Sequence, residues 1–113
     1  MKKILVVTGG AGFVGSNLIK FLIAKTKYNI ISLDNYSSST NKNHIKNKRI
    51  KYIKGDTTNI KKILEKYKNK ILSIFHFGEF ARIFQSFKKF DECYHSNSIG
   101  SKAVFKFCLD NKI

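Results

Sequence analysis

At 113 residues the chain is long enough for one domain with a real core and too short for two. Its hydrophobic share of 42% is ordinary for a globular protein, and no apolar run reaches the length of a membrane-spanning helix. A formal net charge of +15 raises nucleic acid as a partner, but only Arg49 and Arg82 are arginines, the lysines are spread along the chain, and no helix carries a compact basic stripe; weak, salt-sensitive attraction to polyanions is expected rather than specific reading of bases.

Met1-Lys2-Lys3 runs directly into an apolar strand over about residues 3–8, with no stretch resembling a signal peptide, so a soluble cytoplasmic protein is expected. Thr8-Gly9-Gly10-Ala11-Gly12-Phe13-Val14-Gly15 follows and opens a helix over about 13–27. Its apolar face is read as Phe13, Val14, Leu18, Ile19, Leu22 and Ile23. A glycine-rich turn from strand to helix suits a pyrophosphate: the backbone can come close at Gly9, Gly12 and Gly15, and the amides and dipole of the helix start favour negative charge. The spacing Gly9-x-x-Gly12-x-x-Gly15 is not G-x-G-x-x-G, so context has to decide. The next strand, about 29–34, ends in Asp34, nineteen residues after Gly15. That is close to the offset of roughly 20 residues for a carboxylate on an adenosine ribose.

The polar segment 35–41 then sits where a loop on the ligand side belongs. A third strand, 50–54, alternates apolar and polar residues as an edge strand does. It ends in Gly55-Asp56, after which Thr57 and Thr58 can cap a helix over about 59–68 with Ile60, Ile63, Leu64 and Tyr67 inside. The fourth strand, 71–77, is more continuously apolar and ends in Gly78. A short irregular or helical stretch, 79–88, precedes a long helix over about 90–112, whose apolar positions are Phe90, Tyr94, Ile99, Val104, Phe105 and Leu109. Cys93 and Cys108 form no C-x-x-C pair and His44, His76 and His95 are scattered, so no metal site is expected and the thiols are read as ordinary. His76, between Phe75 and Phe77, reads as a packed and satisfied histidine. Alternating strands and helices predict an α/β fold with a doubly wound parallel sheet of about four strands in the order 3-2-1-4. The ligand crevice then falls between strands one and four.

These landmarks together resemble the N-terminal half of the extended short-chain dehydrogenase/reductase family, also called the NAD-dependent epimerase/dehydratase family, whose members act on nucleotide sugars. Residues 8–16 resemble its TGGAGFIGS, Gly55-Asp56 its G-D after strand three, residues 75–78 its IHLAA segment and residues 97–101 its N-x-x-G-T. Asn35 and the serines after it look most like the UDP-glucose 4-epimerase branch. The resemblance implies an incomplete Rossmann-type sheet that binds NAD. In it Gly9, Gly12 and Gly15, with the backbone of Phe13 and Val14, hold the pyrophosphate. Asp34 accepts from the ribose hydroxyls and repels a 2′-phosphate, and Asn35 and the loop around Ser38 border the same ribose. Asp56 and Thr57 border the adenine, although Asp56 is equally placed to cap the next helix. Phe77, Gly78 and Glu79 line the dinucleotide near strand four. Asn97 lies near its centre, with a purely structural role as the alternative.

Three departures from the family pattern stand out. Glu79 occupies a position that is usually small, where it would need solvent or Arg82 as a partner. The lysine often found near Ala81 in the epimerase branch is absent. None of Tyr28, Tyr36, Tyr52, Tyr67 or Tyr94 is followed by lysine four positions later, so the family's Tyr-x-x-x-Lys pair is missing and no catalytic residue is assigned. The expected function is the NAD-binding portion of a nucleotide-sugar epimerase or dehydratase, inactive alone, with the nucleotide sugar a partner only of a complete relative. The alternative is a dinucleotide-binding module that stands alone or is completed by a second chain, with self-association through an exposed strand four. No membrane partner and no specific nucleic acid are expected.

Overall fold

A computed structural model describes residues 3–78 and 88–113. Four strands, β1 (Ile4–Thr8), β2 (Asn29–Asp34), β3 (Ile50–Lys54) and β4 (Ile71–His76), form one sheet in the order β3-β2-β1-β4. Every pairing is parallel: Val6 lies opposite Ile31 and Ile74, and Leu33 opposite Ile53. This is the expected α/β doubly wound arrangement. The central strands are buried on both faces, which is why β1 reads as an unbroken apolar run. Ile4, Val6, Ile31 and Leu33 point to one face and pack with Ile60, Leu64, Val104 and Phe107. Leu5, Val7 and Ile30 point to the other and pack with Ile19 and Leu22. Each such aliphatic side chain, fully buried, contributes about 1.5–3 kcal/mol.

The helices are α1 (Phe13–Lys25), α2 (Ile60–Leu64, with a 3-10 turn on each side), α3 (Phe90–Tyr94) and α4 (Ser101–Asn111). Thr26 ends α1: its amide and its hydroxyl both donate to the Leu22 carbonyl, at 2.9 and 2.7 Å. Two of the expected helix faces are corrected. In α1, Ile19 and Leu22 are buried as expected and Leu18 and Ile23 are half-buried, but Phe13 and Val14 are exposed and Gly15 and Ser16 are buried in the first turn. Phe13 and Val14 line the cleft at the start of α1 instead of the core.

The expected long helix over 90–112 is interrupted by a π-helical turn, His95–Gly100, between α3 and α4. Phe90, Tyr94, Ile99, Phe105 and Leu109 are exposed; of the expected positions only Val104 is buried, joined by Phe107. The extra residue of the π turn shifts the helical phase, so a 3.6-residue period carried through from 90 to 109 does not follow one face. Among the described residues no helix is long and apolar enough to cross a membrane.

Candidate binding cleft at the carboxyl ends of the strands

The chain turns sharply as it leaves β1. Gly9 adopts φ +71°, and a side chain there would meet the Phe77 carbonyl oxygen at 2.5 Å. Its amide donates to the Leu33 carbonyl (2.8 Å) and its carbonyl accepts from Gly12 (3.1 Å), which fixes the turn between β2 and α1. Gly15 lies against the same Gly9 carbonyl, so a side chain at Gly15 would collide with the backbone. Gly12 differs. Its backbone is ordinary and extended, and a Cβ there would find only the Gly9 oxygen at 3.4 Å and Ser39 Oγ at 3.6 Å. The protein's own packing therefore leaves room at Gly12, on the side that faces the cleft.

Gly12 is also the N-cap of α1 and offers no side-chain cap. The first-turn amides of Phe13, Val14 and Gly15 have no intrahelical partner by construction, and all three residues line a cleft of about 420 Å³. No acidic residue occupies that turn to neutralise the dipole. None of the chain's lysines or arginines lines the cleft among the described residues. An anion there would be held by backbone amides and the helix dipole.

On the β2 side stands Asp34. One carboxylate oxygen accepts from the Ala11 amide (3.0 Å) and the other from the Tyr36 amide (2.8 Å), so the group is fixed in place by the glycine turn and by its own loop. Tyr36 lies at φ 60°, and this turns the following segment so that Ser37, Ser38 and Ser39 join Asn35 on the cleft wall. The loop is braced from behind: Tyr36 Oη lies 2.8 Å from His44 Nε2, and the His44 ring stacks on Tyr52 with centroids 3.7 Å apart. Asn43 Nδ2 donates to the Ala11 carbonyl (3.2 Å). Burial, then the nearby charge of Asp34, pushes the Tyr36 phenol above its usual pKa, so this bracing phenol stays protonated.

The opposite wall comes from the end of β4. Phe77 donates through its amide to the Thr8 carbonyl (3.0 Å), and the Gly78 amide donates to Thr8 Oγ1 (2.9 Å). His76, which lines the cleft, bridges Thr8 Oγ1 (2.6 Å) and Ser101 Oγ (2.9 Å), and so ties β1, β4 and α4 together. Thr57 and Gly55 close the floor.

Gly9, Gly12, Phe13, Val14, Gly15, Asp34, Asn35, Ser38, Thr57, Phe77 and Gly78 are thus brought to one cleft. Asp56 and Asn97 are not on its lining. Asp56 caps the 3-10 turn before α2, accepting from the Thr58 amide (3.1 Å) and hydroxyl (3.2 Å), and its other oxygen lies 3.9 Å from His95 Nε2. Asn97 Nδ2 lies 3.5 Å from Cys93 Sγ. Glu79, with Arg82 and Ala81, lies outside the described residues. The cleft also holds Ser96, whose hydroxyl donates to the Gly78 carbonyl (3.3 Å). Sequence spacing carried no signal for it, because the π turn decides which residue of that segment faces inward.

The family model for the NAD dependent epimerase/dehydratase family matches residues 5–113. The chain is 33% identical over 110 residues to a UDP-glucose 4-epimerase of Pasteurella multocida, covering 90% of this chain and 32% of that protein. It is 32% identical over 121 residues to a dTDP-D-glucose 4,6-dehydratase of Dictyostelium discoideum, covering 100% and 27%. Among solved structures, an epimerase from Methanothermobacter thermautotrophicus superimposes with a TM-score of 0.85 at 31% identity, over 95% of this chain and 32% of that one. The chain spans about a third of the length of these relatives. Matched across nearly its whole length, the chain belongs to the NAD dependent epimerase/dehydratase family.

Proposed function

We propose that residues 1–113 are the NAD-holding portion of a nucleotide-sugar epimerase or dehydratase, most like the UDP-glucose 4-epimerases. The observation that carries this reading is the start of α1: an uncapped helix terminus, with an open position at Gly12, facing a fixed carboxylate in a cleft that no lysine or arginine lines among the described residues. Such a site suits a diphosphate bearing a ribose better than a free phosphate, which would gain nothing from Asp34. The first-turn amides would take the pyrophosphate, and the remaining lone pairs of Asp34 the ribose hydroxyls. Its charge would oppose a 2′-phosphate, giving NAD the advantage over NADP. Ser38 and Asn35 would border that ribose, Thr57 the adenine, and Phe77 and Gly78 the opposite side.

The chemistry that bound NAD supplies in such enzymes is reversible acceptance of a hydride from a sugar carbon. The part of this chain is to bind and orient. No Tyr-x-x-x-Lys pair occurs within these residues, so the proposal gives them no proton-transfer step. A second reading, a dinucleotide-binding module completed by another chain or a second copy, is favoured by one observation. No described strand covers the outer edge of β4, and Phe90, Tyr94 and Phe105 stand exposed on α3 and α4.

Calorimetric titration of NAD and NADP against the wild type and Asp34→Arg tests the cofactor site. The wild type should bind NAD more tightly than NADP. The variant should lose NAD affinity by about tenfold or more, about 1.4 kcal/mol, and narrow or reverse the preference. A folded wild-type chain that binds neither dinucleotide defeats the proposal.

A further inference from the structure

The lysines look scattered in sequence, but the fold gathers some of them. Lys51 is the second residue of β3, on the side of the sheet where Ile53 packs against the core shared with Ile63 and Tyr67. Tyr67 closes the 3-10 turn after α2, and its ring has Lys51 Nζ at 5.7 Å and Lys66 Nζ at 5.2 Å from its centroid. Lys62 lies about one helical turn before Lys66, and all three lysines are exposed. Among the described residues no carboxylate pairs with any of them, and the one acid in the segment, Glu65, is engaged by Lys68 at 2.8 Å. A hydrogen bond from Lys51 leads the effects that hold the Tyr67 phenol below its usual pKa, and the charges of Lys51 and Lys66 add to it. Two ammoniums therefore sit beside one tyrosine ring, and among the described residues no carboxylate is paired with either.

This face is remote from the cleft. Lys51 lies toward the start of β3, whereas the cleft opens beyond the strand ends. We infer that Lys51, Lys62, Lys66 and Tyr67 form a second anion site, which grips the phosphodiester backbone of a nucleic acid strand without reading its sequence. Ammoniums clustered beside a phenol suit a group with several oxygen acceptors and a full charge. A planar carboxylate is better matched by the fork of an arginine, and none stands here. The Tyr67 ring is flanked by cations and packed on the core, so it offers no free face for stacking a base, and lysine point charges discriminate little between sequences.

The test is fluorescence anisotropy with a labelled single-stranded DNA of about 20 nucleotides and mixed sequence, titrated over a range of salt. Lys51→Glu/Lys62→Glu/Lys66→Glu is compared with Lys20→Glu/Lys25→Glu/Lys27→Glu, an equal change of net charge on exposed residues in and just after α1, which packs on the other face of the sheet. The first variant should bind about tenfold or more weakly at low salt, with a log–log salt slope shallower by about 2, as expected for three lost phosphate contacts on a single strand. The second should change affinity by no more than about twofold. Both should remain folded at the assay temperature, the second melting slightly lower because Lys25 sits in the last turn of α1. Equal losses in the two variants would show attraction to net charge alone and overturn the site. Poly-L-glutamate that binds the wild type as tightly as the oligonucleotide, and loses as much in the first variant, would make the face a carboxylate-docking surface and equally overturn it.

Discussion

Three glycines of the turn after β1 look alike in the sequence, but different neighbours constrain them. Gly9 and Gly15 are required by the protein's own backbone, through a positive φ and a collision with a carbonyl; Gly12 is not. Its environment is open and its dihedrals suit any residue, so only a ligand would require glycine there. Gly12→Ser separates the two cases. A serine at an N-cap satisfies a first-turn amide, so the variant should melt at or slightly above the wild-type temperature, a gain of a few tenths of a kcal/mol. The same hydroxyl would occupy the cleft and compete for the amides that hold the pyrophosphate, so NAD affinity should fall by about tenfold or more even as stability rises. Thermal melting and calorimetry on one preparation give both numbers. Unchanged NAD affinity would mean that the start of α1 is not where the dinucleotide sits.

At the scale of elements, β1 was legible because a parallel strand buried on both faces leaves an unbroken apolar run, β3 because an edge strand alternates, and Asp34 and Gly55-Asp56 mark where two strands end. The outer helix was not. Its exposed aromatics, Phe90, Tyr94 and Phe105, satisfied a helical period as well as the buried residues do, and the π turn that changes the phase leaves no mark in composition. The same turn presents Ser96 to the cleft, whereas Asn97 was expected there only from the family resemblance. Asp56 shows a different limit: a carboxylate before Thr57-Thr58 can cap, bind or do both, and the 3.1 Å bond from the Thr58 amide to one of its oxygens establishes the cap alone. The corrected helix face is testable by urea denaturation. Phe107→Ala empties a buried position between α4 and the sheet and should cost about 3–5 kcal/mol. Phe105→Ala removes a ring that is 67% exposed, edge-on to His76, and should cost under about 1 kcal/mol. Equal costs would restore the uninterrupted helix read from the sequence.

At the scale of the whole molecule, the two edges of the sheet are guarded differently. β3 ends the sheet with Lys51 and Lys54 exposed along it, a charged edge that resists pairing with another strand. β4 has no charged residue from Ile71 to Phe75, exposes Leu72 at 47%, and has no described strand on its outer side. Opposing this liability is the net charge of +15, which drives copies of the chain apart. That repulsion acts through solvent and weakens as salt shortens the screening length from about 30 Å at 0.01 M to about 3 Å at 1 M, whereas burial of the β4 edge is insensitive to salt. The balance should therefore shift toward association as salt rises, contrary to complexes held by opposite charges. Light scattering of the 113-residue chain should report a mass near the monomer at low salt that climbs with added salt. Leu72→Lys places a charge beside the open edge and should hold the mass near the monomer throughout, with the fold unchanged because the position is already exposed. A mass that falls with salt would mean that the copies meet through opposite charges on some other surface, and a wild type and variant that associate alike would show that β4 is not the edge involved.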